Sequence, residues 1–167
     1  AFDSVNHTYI KEILMKIGLE NFIPVFKLLY GESKVDILIN GKLCKGYKIG
    51  NGVKQGDALS CTLFILAMEP LIRNIEANPN ILTLASRKYG IAMPKCIGYA
   101  DDINIITMNS INSVKATITE YEKFSKISGL QLNADKTEIF NLTDTYIPQN
   151  YTFTYRGLQL SLIHISE

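Results

Sequence analysis

Two short apolar runs joined through a pair of aspartates constrain the fold of this chain more than any other feature. Cys96–Tyr99 and Ile103–Ile106 are both too short to form helices, and Ala100, Asp101 and Asp102 connect them. The pattern predicts a tight β-hairpin with two carboxylates at its tip. Neighbouring carboxylates beside apolar strands repel each other and lose hydration, so a compensating cation would stabilise them.

Hard oxygen ligands of this kind suit Mg²⁺. A two-metal site about 3.5–4 Å across could activate the 3′-hydroxyl of a primer and stabilise a leaving pyrophosphate. The alternative is an Asp-Asp turn in an ordinary hairpin, because aspartate is common in turns. Taken alone, the dipeptide favours the ordinary turn.

The remaining sequence alternates helix and strand patterns. Apolar residues recur at helical spacing in segments that predict helices: 6–16, 21–30, 59–75 and 114–124. Alternating β-branched residues around Asn40-Gly41 predict a second hairpin, because Asn-Gly is the strongest short-range hairpin signal. Residues 78–89 have little periodicity and predict a surface connection. Residues 130–141 predict a strand that is interrupted at 133–136.

Composition limits the classes of function. The chain has 17 basic and 16 acidic residues and a formal charge of +1, so any nucleic-acid binding must rest on local patches. Cys44, Cys61 and Cys96 lie in apolar surroundings without a CxxC motif or a nearby His, which predicts reduced, buried thiols and an intracellular protein. No apolar run approaches the roughly 18–20 residues that span a bilayer, so no membrane partner is expected.

A glycine-containing loop, N-G-V-K-Q-G-D-A-L-S at 51–60, precedes the longest predicted helix. Gly52 and Gly56 would let the backbone approach a ligand just before a helix N-terminus. Gln55 could hydrogen-bond the sugar or phosphate of a nucleotide, and Lys54 could contact a phosphate. The alternative is a glycine loop in which a side chain caps the helix, contributed by Asp57 or Ser60.

A third segment, G-L-Q-L-N-A-D-K-T-E at 129–138, places a basic residue in a break between apolar stretches. Lys136 could neutralise or protonate a leaving pyrophosphate. A solvated lysine in a turn is the alternative.

Four motifs in this order carry a resemblance to a known family: A-F-D-S-V-N-H, G-V-K-Q-G-D-A-L-S, Y-A-D-D and G-L-Q-L-N-A-D-K-T. Over roughly residues 1–142 the chain resembles the reverse transcriptases of non-LTR (LINE-type) retrotransposons. The resemblance implies an α+β fold, a polymerase right-hand palm whose antiparallel sheet is backed by helices, with part of the fingers. Residues 1–160 would form this fragment, with 17–53 as a fingers-like insertion.

The resemblance also implies an RNA-directed DNA polymerase. It would transfer a nucleotide from a dNTP to a primer 3′-hydroxyl with two Mg²⁺ ions, on an RNA template with a DNA primer, and nuclear action on chromosomal DNA would follow. A group II intron-type reverse transcriptase is an alternative within enzymes. A decayed remnant that binds nucleic acid without catalysis is an alternative outside them, and no pattern indicates an oligomeric state.

The family's site residues map onto matching positions. Asp101 and Asp102 match the catalytic pair that binds the metal, and Lys136 matches the lysine near the triphosphate. Positions that match nucleotide-binding residues are Phe2, Gln55, Gly56, Tyr99 and Ala100. The ring of Phe2 would lie under the sugar and exclude a 2′-hydroxyl, unless Phe2 is a core residue.

Three departures from the family pattern lead to further expectations. The metal-binding aspartate of the first motif would lie upstream of Ala1, so the chain alone is predicted to be inactive. Asp3 is therefore predicted to be a structural residue that caps the helix that follows. Tyr155-Arg156-Gly157 stands where the family has Tyr-Leu-Gly in its primer-contacting hairpin. Residues 161–167 do not continue the pattern and are expected to be a non-native tail, with no role for His164.

Overall fold

A computed structural model describes the chain except for residues 1, 32–33, 55, 84, 87–89, 100–101, 142–150 and 165–167. The α-helices are α1 (His7–Lys16), α2 (Ile23–Phe26), α3 (Ala58–Ala77) and α4 (Ile111–Ser128). The strands are β1 (Lys34–Ile39), β2 (Lys42–Lys48), β3 (Ala85–Ser86), β4 (Ile91–Ala92), β5 (Cys96–Tyr99), β6 (Asp102–Ile105), β7 (Glu138–Asn141), β8 (Phe153–Tyr155) and β9 (Leu158–His164). Shorter helical turns are Phe2–Ser4, Glu20–Phe22, Lys27–Gly31 and Ala134–Lys136.

The described chain divides into two compact units. Unit 1 comprises residues 1–68 and 127–130, and unit 2 comprises residues 69–126 and 131–167. The helices α3 and α4 each have residues in both units. The predicted fingers-like insertion at 17–53 and the predicted tail at 161–167 remain predictions, although β9 extends to His164.

The first predicted helix forms with a different cap from the one expected. Asn6 accepts the backbone N–H groups of Thr8 at 2.7 Å and Tyr9 at 3.4 Å, which makes Asn6 the N-cap of α1. The expectation that Asp3 caps this helix is wrong, because Asp3 lies in the preceding 3₁₀ turn. Gly18, at φ +78°, follows the helix end as predicted.

The helix predicted over 21–30 is helical throughout but not regular. A 3₁₀ turn leads into α2, and a π-helical turn follows it. Pro24 lies in the first turn of α2, where its missing N–H interrupts the bonding that a continuous helix would need. Phe26 and Tyr30 are both buried and their rings stack at 5.1 Å between centroids.

The Asn-Gly hairpin forms as predicted. Asn40 at φ +49° and Gly41 at φ +77° have the left-handed conformation that a type I′ turn requires. Two residues of β2 oppose Asp36, and its Oδ1 accepts the backbone N–H of Gly46 at 3.2 Å. A Cβ at Gly46 would lie 1.2 Å from the carbonyl oxygen of Val35, so only glycine fits this bulge.

The long apolar helix α3 belongs to the core. Its buried residues on several faces confirm the predicted core helix: Ser60, Leu63, Phe64, Ala67, Met68, Leu71 and Ile75. The hydroxyl of Tyr9 donates to the carbonyl of Ala67 at 2.9 Å, and burial raises the pKa of Tyr9 to about 12. Among the described residues α3 alone is long and apolar enough to cross a membrane, contrary to expectation, but core helices meet the same criteria.

In unit 2, β5 and β6 form the antiparallel hairpin that the sequence predicts, with Cys96 opposite Ile105 and Tyr99 opposite Asp102. The prediction of a plain surface connection over 78–89 is wrong in part. Ile81 is only 1% exposed, and β3 pairs with β4 in a short antiparallel ladder. Ile81 is buried whereas its neighbour Leu82 is exposed, and the short apolar stretch that contains them does not show which of its residues is buried.

The C-terminal sheet has the strand order β7-β9-β8, with β7 parallel and β8 antiparallel to β9. The described chain is therefore α+β, as expected, with small antiparallel sheets and one mixed C-terminal sheet, and the right-hand palm stays a prediction. The interruption predicted at 133–136 is confirmed as a 3₁₀ turn capped by Asn133, and β7 follows it, but the described residues 130–132 do not form the strand predicted before the interruption. Phe153, Tyr155 and Leu160 pack into a buried cluster with residues of α4.

All three cysteines are free, as predicted, but two of them are not buried. Cys96 is buried, whereas Cys44 and Cys61 are exposed. Cys44 lies on a two-stranded hairpin and Cys61 on the exposed side of α3, so apolar neighbours in sequence did not imply burial.

The backbone at the end of the first motif lies between two other segments of unit 1. Asn6 forms an antiparallel bridge with Asn51, and the N–H of Gly52 donates to the carbonyl of Val5 at 2.8 Å. The N–H of Asn6 donates to the carbonyl of Ser128 at 2.8 Å. We call this three-segment contact the motif junction.

Two glycines make the motif junction possible. Gly52 has φ +86°, and a Cβ there would lie 2.6 Å from the Cα and carbonyl oxygen of Asp3. Gly129 has φ +77°, and a Cβ there would lie 2.7 Å from the carbonyl oxygen of Ser4. The close approach expected at Gly52 for a ligand is therefore made by the protein's own backbone.

We expect Gly52→Ala to destabilise unit 1 more than Gly18→Ala. Both glycines have positive φ, which costs an alanine about 1–2 kcal/mol, but only Gly52 lacks room for a Cβ. The overlap with Asp3 should lower the free energy of unfolding by roughly a further 1–3 kcal/mol. Urea unfolding of both variants measures the difference, and equal losses would contradict a backbone contact at Gly52.

Candidate functional site

The hairpin of β5 and β6 presents a carboxylate and an aromatic ring at the surface. Asp102 begins β6 and pairs with Tyr99, the last residue of β5. Tyr99 is 83% exposed, and Asp102 is exposed as well. Within the described part of the chain no hydrogen bond or ion pair occupies the Asp102 carboxylate. Ala100 and Asp101 form the connection and lie outside the described residues.

The donor chemistry of this tip fits a divalent cation. Carboxylate oxygens are the hard ligands that Mg²⁺ prefers. The described residues, which include Asp102 but not Asp101, contain no group of three His, Cys, Asp or Glu side chains close enough to hold a metal ion. The two-metal site therefore stays a prediction.

The strand that carries Asp102 is fixed where it leaves the hairpin. Leu82 accepts hydrogen bonds from the hydroxyl of Thr107 at 2.8 Å and from the N–H of Met108 at 3.0 Å. The N–H of Leu82 donates to the hydroxyl of Ser113 at 2.8 Å, and Ser113 is fully buried. The chain after β6 is therefore held against the first turn of α4.

The glycine loop ends in a capped helix. Gly56 is exposed at φ +85°, and a Cβ there would meet nothing within 4 Å, so it leaves open space beside the loop. Asp57 Oδ1 accepts the N–H of Leu59 at 3.2 Å, which is the side-chain bond of a helix N-cap. The capping role weighed for Asp57 is thus present in the structure. Gln55 lies outside the described residues.

Asp57 also contacts the helical segment that precedes β1. The buried hydroxyl of Tyr30 donates to Asp57 Oδ2. This hydrogen bond is the largest cause of the lowered pKa of Asp57. The hydrogen bond from the Leu59 N–H and the charge of Lys54 lower the pKa further. Burial and the hydrogen bond to Asp57 raise the pKa of Tyr30. Sequence patterns did not reveal this pair, because Tyr30 and Asp57 lie in separate segments with no spacing rule between them.

The ammonium of Lys54 interacts with two groups of the protein. Its Nζ donates to the carbonyl of Leu29 at 3.2 Å and lies 6.0 Å from the centroid of the Tyr30 ring. A contact with phosphate, as the sequence suggested, would compete with these interactions.

Lys136 lies at the end of a short capped turn. Asn133 Oδ1 accepts the N–H of Asp135 at 3.1 Å, and the Asn133 carbonyl accepts the N–H of Lys136 at 3.2 Å. Lys136 is exposed, so its charge is accessible. A solvated turn lysine has the same description, so the geometry does not separate the two interpretations.

The predicted site residues are distributed over both units. Tyr99 and Asp102 are direct neighbours across the hairpin, and Lys136 belongs to the same unit 2. Gly56 belongs to unit 1, as does Phe2, whose backbone forms part of the 3₁₀ turn at the chain start. The side chain of Phe2 lies outside the described part.

Comparison with known proteins gives consistent matches. The model of the family described as reverse transcriptase (RNA-dependent DNA polymerase) matches residues 1–160. The chain is 29% identical over 137 residues to the Retrovirus-related Pol polyprotein from type-2 retrotransposable element R2DM of Drosophila melanogaster, covering 81% of this chain and 12% of that protein. It is 28% identical over 143 residues to the Retrovirus-related Pol polyprotein from type-1 retrotransposable element R2 of Popillia japonica, covering 82% and 19%.

A further relative is the Transposon TX1 uncharacterized 149 kDa protein of Xenopus laevis, 26% identical over 138 residues, with coverage of 82% of this chain and 10% of that protein. The chain thus spans between 10% and 19% of the length of these three relatives.

We expect Asp57→Asn to weaken the dependence of stability on acid pH. The folded pKa of Asp57 lies below its unfolded value of about 3.9, so the ionised carboxylate stabilises the fold above that pH, and the contribution is lost as pH falls through the folded pKa. Tyr30→Phe should have a smaller effect in the same direction, because it removes the largest cause of the shift.

Urea unfolding midpoints at about pH 3 and about pH 6 measure this dependence. Asp135→Asn removes an exposed carboxylate elsewhere and controls for the change in net charge. Equal flattening of the pH profile by Asp57→Asn and Asp135→Asn would argue against a specific Tyr30–Asp57 interaction.

Proposed function

Because the chain belongs to the reverse transcriptase (RNA-dependent DNA polymerase) family, we propose that it forms the catalytic core of a retrotransposon enzyme that copies RNA into DNA. The observation that carries the proposal is the exposed Asp102 at the tip of the β5–β6 hairpin, within a family match over residues 1–160. The core would have the palm architecture of polymerases, with part of the fingers.

Asp101 and Asp102 would hold Mg²⁺ in this proposal. The bound metal would supply positive charge at the reacting phosphate and lower the pKa of the primer hydroxyl. Asp102 suits the task because its carboxylate is exposed and occupied by no described group. Neighbouring carboxylates repel each other, and a bound cation would relieve this repulsion.

The remaining residues would bind and orient the substrates. The exposed ammonium of Lys136 would neutralise charge on the leaving pyrophosphate. The open space beside Gly56 would admit the incoming dNTP. Gln55 would bind the same dNTP by a hydrogen bond. By the family resemblance, Tyr99, Ala100 and Phe2 would also be nucleotide-binding residues, with the Phe2 ring as the contact to the sugar.

The partners would be an RNA template, a DNA primer and a dNTP. A net charge of +1 over 167 residues means that phosphate binding depends on individual cations and backbone amides rather than on a general basic surface. An intracellular place of action, on chromosomal DNA in the nucleus, is part of the proposal.

Primer extension on an RNA template with Mg²⁺ and deoxynucleotides tests the function. We expect the full coding product of the gene to extend the primer, and Asp102→Asn to lower kcat at least about 10²-fold, because the variant loses charge stabilisation worth several kcal/mol. Asp3→Asn is the matched control, since it removes a carboxylate that is not assigned to the metal.

The 167-residue chain is assayed beside the full product, because inactivity of the chain alone is predicted. Extension that survives Asp102→Asn would contradict the assignment of the hairpin carboxylates. A lack of extension by the full product, combined with retained binding of a primer-template, would favour a remnant that binds nucleic acid without catalysis.

A second prediction concerns selection of the sugar. If the Phe2 ring lies under the sugar, Phe2→Val should raise the ratio of kcat/KM for ribonucleotides to that for deoxynucleotides by about tenfold or more, within the range for one steric contact. If Phe2 is a core residue, the substitution should lower stability and leave this ratio unchanged. Phe26→Leu changes a buried phenylalanine of the core and serves as the comparison.

A further inference from the structure

A carboxylate from α3 holds the start of the hairpin that carries Asp102. Glu76 Oε1 accepts the backbone N–H of Lys95 at 2.8 Å and the backbone N–H of Cys96 at 2.9 Å. Cys96 is the first residue of β5. One carboxylate oxygen therefore binds two consecutive amides at the point where the strand begins.

The same face of α3 contacts β5 further along the strand. Ile72 lies four residues before Glu76, so the two side chains share a face of the helix. A Cβ added at Gly98 would lie 3.7 Å from Ile72 Cδ1, an ordinary van der Waals distance, so the Ile72 side chain lies beside the backbone of Gly98. Thus α3 meets β5 both at its first residue and near its middle.

Lys95 links the base of the hairpin to the end of α3 and to the residue that follows β6. Its ammonium donates to the carbonyl of Asn78 at 2.8 Å, just beyond the end of α3. Its carbonyl accepts the N–H of Ile106 at 2.8 Å, the residue after β6. The backbone N–H, carbonyl and side chain of Lys95 are all engaged, so the base of the hairpin cannot shift without breaking several hydrogen bonds.

The location of Glu76 is unfavourable for the helix itself. An acidic side chain in the last turn of a helix opposes the helix dipole at a cost of roughly 0.3–1 kcal/mol. Glu76 is exposed to solvent. The hydrogen bonds from the two backbone amides, which are strengthened by the charge of the carboxylate, offset this cost.

The position of the hairpin base matters for the tip. Cys96 and Tyr99 are the first and last residues of β5, and Asp102 pairs with Tyr99 at the start of β6, so the two strands must keep their register to place the Asp102 carboxylate. Displacing a reacting group by about 1 Å can lower an enzyme's rate about 10²-fold.

We propose that Glu76 is a positioning residue, which fixes the β5–β6 hairpin through the amides of Lys95 and Cys96 and thereby sets the place of Asp102 in the polymerase site. The catalytic part of this role rests on the proposed function. The structural part, that Glu76 holds the hairpin, is independent of the proposed function.

Two substitutions separate this role from a general contribution to stability. Glu76→Gln keeps an oxygen that can accept hydrogen bonds from both amides. Glu76→Ala removes this acceptor, so both amides lose their hydrogen bond to residue 76. Glu69→Ala is the control, because Glu69 lies on the same helix and pairs with Arg73 at the surface, at 2.7 Å. Such an exposed pair contributes little to stability.

The first measurement is hydrogen exchange at the amides of Lys95 and Cys96 in the 167-residue chain. We expect Glu76→Ala to speed exchange at these amides at least about tenfold while amides of α1 keep their protection, and Glu76→Gln and Glu69→Ala to leave them protected. Unchanged exchange in Glu76→Ala, or equally fast exchange throughout the chain, would overturn the proposal.

The second measurement is primer extension by the full coding product. We expect Glu76→Ala to lower kcat about 10- to 10²-fold with little change in the KM for dNTP, and Glu76→Gln to restore kcat to within about threefold. A rise in KM alone, or equal loss in Glu76→Gln and Glu76→Ala, would overturn the positioning role. An inactive parent would refute the proposed function and the catalytic part of this inference, while the exchange experiment would still decide whether Glu76 holds the hairpin.

Discussion

The motif junction is the contact on which the arrangement of unit 1 depends. The backbone of Val5 and Asn6 is bonded to residues 51–52 on one side and to Ser128 on the other, and His7 adds a hydrogen bond from its Nε2 to the carbonyl of Gly52 at 2.7 Å. Backbones can approach this closely only where no Cβ intervenes, which is why glycine stands at 52 and 129. Three motifs that are far apart in sequence therefore meet through main-chain atoms.

Two carboxylates connect α3 to the loops that carry the proposed chemistry. Asp57 caps the start of α3 and binds the hydroxyl of Tyr30, so the glycine loop is tied to the helical segment before β1. Glu76, near the other end of the helix, binds the amides at the start of β5. The negative charge of Asp57 at the start of the helix interacts favourably with the helix dipole, whereas the charge of Glu76 near its end interacts unfavourably. Both carboxylates replace water as the hydrogen-bond partner of backbone N–H groups.

Local patterns predicted the elements that depend on neighbouring residues. The two hairpins and the helices α1, α3 and α4 formed as expected, because a turn dipeptide or an apolar period defines them within one short segment. The segment 20–31 was predicted less well, since Pro24 alters the backbone locally, and residues 130–132 do not form the predicted strand, although the break at 133–136 was predicted correctly. The exposure of Cys44 and Cys61, and the burial of Ile81, depend on what packs nearby and have no local signal.

The sequence by itself determined the family, which the match over residues 1–160 confirms, because four ordered motifs specify a reverse transcriptase more strongly than any of them alone. It also determined that Asp102 lies beside the turn of a hairpin. Only the tertiary structure decided that Gly52 accommodates Asp3 rather than a ligand, that Lys54 contacts Leu29, and that Glu76 holds the hairpin. These contacts join residues many positions apart, and no spacing rule encodes them, since they depend on how separately folded segments pack.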